Sequence, residues 1–202
     1  MLFSRITSTL FHPLFMTLFG IFIIFNVGIY ASDIPRQYYQ FVYMMVILCN
    51  ILIPLTMIAS LILFRKIKNS EMEEQHDRLL PLIFTTLCFY ACYYEVSKYS
   101  SSAIINFFLG ASVIVLAAIL LITVFWKISM HMAGIGGITG LTLFLMYFYR
   151  ADIILILCLV ILISGIVSSS RLASGSHTLL QLIAGYFLGL FLVFGFLMNI
   201  AH

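Results

Sequence analysis

The sequence predicts an all-α fold, a polytopic membrane helix bundle of about six or seven transmembrane helices, and three observations carry that prediction. Of the 202 residues, 63% are hydrophobic and only 8% charged, against about 25% charged in a soluble domain. Mean hydropathy is +1.17. The apolar runs are long and continuous rather than alternating with period two. That favours helices over barrel strands, because backbone polar groups in lipid must find partners inside the protein.

Each span follows from an apolar run bounded by polar or turn-forming residues. The first, Phe11–Tyr30, follows Arg5 and so imitates a signal peptide, but its run from Pro13 is long for an h-region and reads as a spanning helix. The second, Tyr39–Phe64, contains Pro54, which removes a backbone donor and is expected to kink it. The third, Leu79–Val96, carries Pro81 in its first turn, where a missing N–H costs little. Ser102–Phe125 is uninterrupted. His131–Tyr149 opens on AGIGGITG, with Gly136 and Gly140 four residues apart. Ala151–Ser168 is short, and Ser176–Ala201 repeats the glycine spacing with Gly185 and Gly189. Small residues at that spacing let membrane helices approach closely. Connections are short except for the polar RKIKNSEMEEQHDR from Arg65 to Arg78, so consecutive spans should be antiparallel neighbours. The chain reads as a single transmembrane domain over 1–202, with two N-terminal helices in 1–64 and a core in 65–202.

Counting spans gathers the polar exceptions. Two spans separate the loop Arg65–Arg78 from the segment Trp126–His131, and two more separate that segment from Ser169–His177. All three, with the N-terminus, should emerge on one face and are free to build a shared site. In WKISMHMAGIGG, Lys127, Ser129 and His131 gather where a glycine-rich helix begins. The unpaired N–H groups and positive dipole end of such a start suit a phosphate. In SSRLASGSHTLLQ, Ser170, Arg171 and His177 are expected at the mouth of the last helix, just before its N-terminus. The guanidinium is a fork of donors that fits phosphate oxygens two at a time. Gln181 follows His177 by four residues, on the same helical face, where its amide can orient the imidazole.

These segments resemble the signature of the type-2 phosphatidic acid phosphatase superfamily of integral membrane lipid phosphatases, as a divergent member. The third motif of that family is Ser-Arg, five residues, His, three residues, Asp; Ser170, Arg171 and His177 match at that spacing, with Gln181 in the Asp position. The second motif is Pro-Ser-Gly-His; Ile128, Ser129, Met130 and His131 keep its Ser and His. The first motif, Lys, six residues, Arg-Pro, corresponds loosely to Arg78 and Pro81, with Glu71 at the lysine position and Lys66, Lys68 or Lys127 as substitutes. The resemblance runs from about Lys66 to Gly189 and makes 65–202 a phosphatase-like core.

What the resemblance implies is a metal-independent hydrolase that cleaves a phosphate monoester or diphosphate of a lipid through a phosphohistidine. His177 would be the nucleophile and His131 the acid that protonates the leaving oxygen and then activates water. Arg78, Arg171, Lys127, Ser129 and Ser170 would bind the phosphate, and Gln181 would orient His177. No cofactor is implied. The expected partners are a lipid phosphate substrate and the lipid bilayer, in a bacterial cytoplasmic membrane.

Two other readings stay open. A catalytically inactive, phosphatase-like protein would bind a lipid phosphate head group without turnover. His76, His131 and His177 would alternatively ligate a metal, although they share no local ligand spacing. Cys49, Cys88, Cys92 and Cys158 all lie in apolar runs and behave as small hydrophobes. The net charge of +3, without a basic patch interleaved with aromatics, gives no reason to expect nucleic acid. Seven of the ten Lys and Arg residues fall on the motif face, yet three of these are candidate phosphate ligands, so the positive-inside rule leaves the side of the site open.

Overall fold

The computed structural model describes residues 7, 9–27, 35–64, 78–99 and 102–201. Among them are seven helices of ten residues or more and no strand: α1 (Pro13–Asn26), α2 (Arg36–Leu63), α3 (Leu79–Tyr99), α4 (Ala103–Phe125), α5 (Met130–Phe148), α6 (Ile154–Ala173) and α7 (Leu179–Leu197), the last continued by a 3-10 turn, Met198–Ala201. Six of the seven, α2 to α7, are long and apolar enough to cross a membrane. The protein is an all-α integral membrane bundle. The exception is α1, whose 14 residues make a rod of about 21 Å at 1.5 Å per residue, short of a hydrocarbon core about 30 Å thick. Its start is nevertheless well defined, because Pro13 takes the first helical position behind His12 as N-cap.

Two helices depart from expectation for local reasons. In α2 the disturbance expected from Pro54 takes the form of a π-helical stretch, Val46–Leu52, immediately before it. Pro54 has no N–H to give to the carbonyl four residues back and its ring crowds that carbonyl. The chain widens, and Ile53 N–H reaches Leu48 O, five residues back. In α6 the helix does not stop at Ser168 but continues to Ala173, which puts Ser170 and Arg171 inside its last turn rather than in a loop ahead of α7. Serine breaks a helix only weakly, and here Ser168 and Ser174 bond back to the carbonyls of Gly165 and Arg171. The break comes at Gly175, whose φ of +66 few other residues tolerate.

The bundle is organised around α5. Of its best 18-residue window, 72% is buried, against 22% for α6 and for α7. Ile135, Ile138, Leu141, Phe144 and Leu145 of α5 are all in the core. The outer helices turn Leu155, Leu159 and Leu162 of α6, and Leu180, Phe187 and Phe191 of α7, outward, as a hydrocarbon surround allows. α7 packs most extensively on α5, and the glycines make that possible. A Cβ on Gly136 would collide with the Tyr186 carbonyl oxygen, and one on Gly189 with that of Ala133. Backbone therefore meets backbone along this seam. Ser129 N–H also donates to Gln181 O at 3.3 Å, tying the first turns of α5 and α7 together.

Candidate active site

The site is delivered by helix ends. α5 begins at Met130 because Ser129, wholly buried and extended, accepts the Met132 N–H on its Oγ at 3.4 Å. That cap sets His131 in the first turn. α7 begins with a capping box: the Gln181 N–H donates to Thr178 Oγ1 at 3.5 Å, and the Thr178 N–H donates to Gln181 Oε1 at 3.2 Å. His177 immediately precedes the cap. α6 brings Ser170 and Arg171 in its last turn, where a cation complements the carbonyl end of the helix dipole. Arg78 stands just ahead of α3, and His12 just ahead of α1.

All of these ends open on one cavity of about 910 Å³. Its polar rim is formed by His12, Arg78, His131, Ser170, Arg171 and His177, and its depth by Leu82, Phe89, Phe108, Ile119, Ile138 and Val193. Four helices, α1, α3, α5 and α7, start at this rim and turn positive dipole ends to it, while the carbonyl end of α6 also opens there with Arg171 set against it. Among the described residues no carboxylate lines it; Glu95 and Asp152 lie at the far end of the bundle. The rim is built for negative charge. No family model matches the chain, and no curated protein or solved structure matches it.

Hydrogen bonding fixes the chemistry of His177. A backbone N–H can only donate, so the Gln181 atom facing Thr178 N is the amide oxygen. The same oxygen lies 3.0 Å from His177 Nδ1, which must therefore carry the proton. The lone pair is then on Nε2, away from Gln181. Burial holds the His177 pKa down to about 4, the guanidinium of Arg78 adds to the effect, the Gln181 bond opposes it, and Arg171 and Lys127 lower it further. At neutral pH this imidazole is uncharged and its Nε2 is a base. Arg78 is likewise pushed down, to about 10, by burial and then by Arg171. It stays a cation, and its Nη1 donates to Ile128 O at 3.4 Å.

Of the residues singled out from sequence, Arg78, His131, Ser170, Arg171 and His177 share this cavity. Gln181 sits behind His177 as its hydrogen-bond partner. Lys127 is half-buried beside the wall, its charge felt at His177. Ser129 is the cap of α5 and has no exposed surface, so what it contributes here is the start of the His131 helix rather than a phosphate contact. Ser170 donates to or accepts from Thr7 Oγ1 at 2.7 Å, which ties the N-terminal segment to the arginine turn. Lys66, Lys68, Glu71 and His76 lie outside the described residues. Among those described, no group of three or more His, Cys, Asp or Glu side chains is arranged to hold a metal ion.

Sequence reasoning missed His12. Its ring stands edge-on to that of His131 with centroids 5.7 Å apart. A His-Pro pair opening an apolar run does signal a cap followed by a first helical residue. That local signal finds a helix start, not a wall of the cavity.

Proposed function

We propose that this protein is a membrane-embedded lipid phosphatase or pyrophosphatase, akin to the type-2 phosphatidic acid phosphatases, that works through a phosphohistidine. One observation carries the reading: an uncharged, oriented His177 shares a cation-rimmed, apolar-bottomed cavity with His131 and two arginines. The lipid tail lies against the apolar depth and the phosphate meets the rim. Arg78 and Arg171 hold the non-bridging oxygens and neutralise the charge that grows in the transition state. His177 Nε2 attacks the terminal phosphorus as its bond to the leaving oxygen breaks, that of the lipid alcohol or, in a diphosphate, of the lipid-linked phosphate, and His131 gives that oxygen a proton. His131 then takes a proton from water, whose oxygen attacks the phosphohistidine; the P–N bond breaks and inorganic phosphate leaves. The resemblance extends the assignment to a bacterial cytoplasmic membrane.

The test is phosphate release from phosphatidic acid, phosphatidylglycerophosphate and a polyprenyl diphosphate by the purified protein. His177→Ala should abolish release while thermal stability stays near that of the wild type. Unaltered turnover in that variant removes His177 as nucleophile. A second reading, binding without turnover, is favoured by Gln181. An amide leaves the imidazolium of a phosphohistidine without the carboxylate that would stabilise it. Saturable binding of these lipids with no phosphate released by the wild type would select that reading.

A further inference from the structure

His12 is held by two independent constraints. Its Nδ1 accepts the Leu14 N–H at 3.4 Å, as the N-cap of α1. Because a backbone N–H only donates, the proton of the neutral ring is on Nε2. The second constraint is helix packing. A Cβ on Gly134 would come within 2.6 Å of Met16 Cγ and 3.8 Å of Pro13 Cα, so the start of α1 is docked against α5 one turn beyond His131. The cap fixes the tautomer and the docking fixes the position. The ring lines the same cavity as His131, His177, Arg78 and Arg171.

We propose that His12 is a third functional imidazole of this site, whose Nε2–H binds a non-bridging oxygen of the phosphate beside Arg171. The arginines around it offer only donors, and His131 in its acid form is a donor too. An anion placed among them would accept from these donors together with His12 Nε2–H. Burial first, and then Arg171, hold the His12 pKa down to about 4. Its donor therefore adds no third positive charge beside two guanidinium groups that already repel one another. The inference rests on the phosphate reading of the cavity.

Two conservative substitutions separate the ring's two nitrogens. Asparagine is among the best N-caps and replaces the Nδ1 acceptor, but has nothing at the Nε2 position. Glutamine extends an amide N–H to about that position and is a poorer cap. His12→Asn should keep the wild-type thermal stability yet weaken both binding of dodecyl phosphonate, by calorimetry, and kcat/KM on phosphatidic acid. The expected loss is roughly tenfold to a hundredfold, the scale of one hydrogen bond to a charged group. His12→Gln should recover most of both while unfolding at a lower temperature. Wild-type binding and turnover in His12→Asn would make His12 a helix cap only and overturn the inference, leaving the phosphatase reading intact. Equal losses in the Asn and Gln variants would also overturn it. A wild type that neither binds the phosphonate nor releases phosphate sinks both readings together.

Discussion

At the scale of single residues, the amide oxygen of Gln181 serves two donors, Thr178 N–H and His177 Nδ1–H. It starts a helix and selects the tautomer of the imidazole with one atom. As the proposed nucleophile His177 must be neutral, so protonation at Nε2 should remove activity. With His177 held down to about 4, the acid limb of the kcat/KM profile should lie below pH 5, and the acid-side loss of activity should come only as pH falls through that limb. A limb centred near 6.5, the ordinary histidine value, would contradict the burial argument. Gln181→Glu keeps an oxygen where the amide oxygen serves both donors and suits a capping box, but sets a negative charge against His177. That charge favours the imidazolium. The same profile should then move its acid limb upward by about one unit or more. The pairing of His177 with Gln181 was expected from sequence on the ground that i and i+4 share a helical face. His177, however, lies ahead of the cap Thr178, and the two meet because the capping box turns the Gln181 amide oxygen back over the start of α7. The tautomer was not legible in the sequence, since it depends on a cap that only the start of α7 defines. His12 was hidden for a different reason: a lone histidine has no spacing partner, and its contact with His131 crosses 119 positions of chain.

At the scale of helices, the seam between α5 and α7 decides whether His131 and His177 meet. Replacing glycine by alanine inside a helix ordinarily stabilises it by about 1 kcal/mol. Gly136→Ala should do the reverse, because the new methyl group collides with the Tyr186 carbonyl oxygen and overpacking costs about 1–3 kcal/mol. A lowered unfolding temperature in detergent, with a larger fractional loss of phosphate release than of folded protein, is the expected pair of results. A stabilised variant would mean that the helices separate without cost. Run length and glycine spacing made this part of the fold legible: the spans follow from hydrophobic length, and Gly136 and Gly189 from the four-residue repeat. The errors fell where backbone hydrogen bonding competes locally. The π-helical stretch before Pro54 needed knowledge of how α2 relaxes around a missing donor. The run of α6 through Ser168 to Ala173 turned on serine hydroxyls bonding to their own helix. That extension changes the site, because Arg171 projects from a rigid last turn instead of a loop.

At the scale of the whole molecule, the bundle gathers like charges at one end. Arg78 and Arg171 are both almost completely buried, and burial and then Arg171 disfavour the charge on Arg78. Four helix N-termini add to the positive potential there, offset in part by the carbonyl end of α6. Such an arrangement is least costly with an anion between the guanidinium groups, so ligand and fold should be linked. A ligand that binds only the folded state stabilises it by about 2.7 kcal/mol at a hundredfold excess over Kd. Inorganic phosphate or orthovanadate should therefore raise the unfolding temperature of the wild type in a saturable way, whereas chloride at equal ionic strength should not. Arg171→Gln removes one of the repelling charges and one of the proposed phosphate ligands. Its unfolding temperature without anion should fall less than that of a variant losing a buried core side chain such as Phe144→Ala, for which about 3–5 kcal/mol is lost. Its response to phosphate should vanish. A full phosphate response in Arg171→Gln would show that the anion stabilises the protein from somewhere other than this rim. The cavity would then have no claim on phosphate, however well its histidines are aligned.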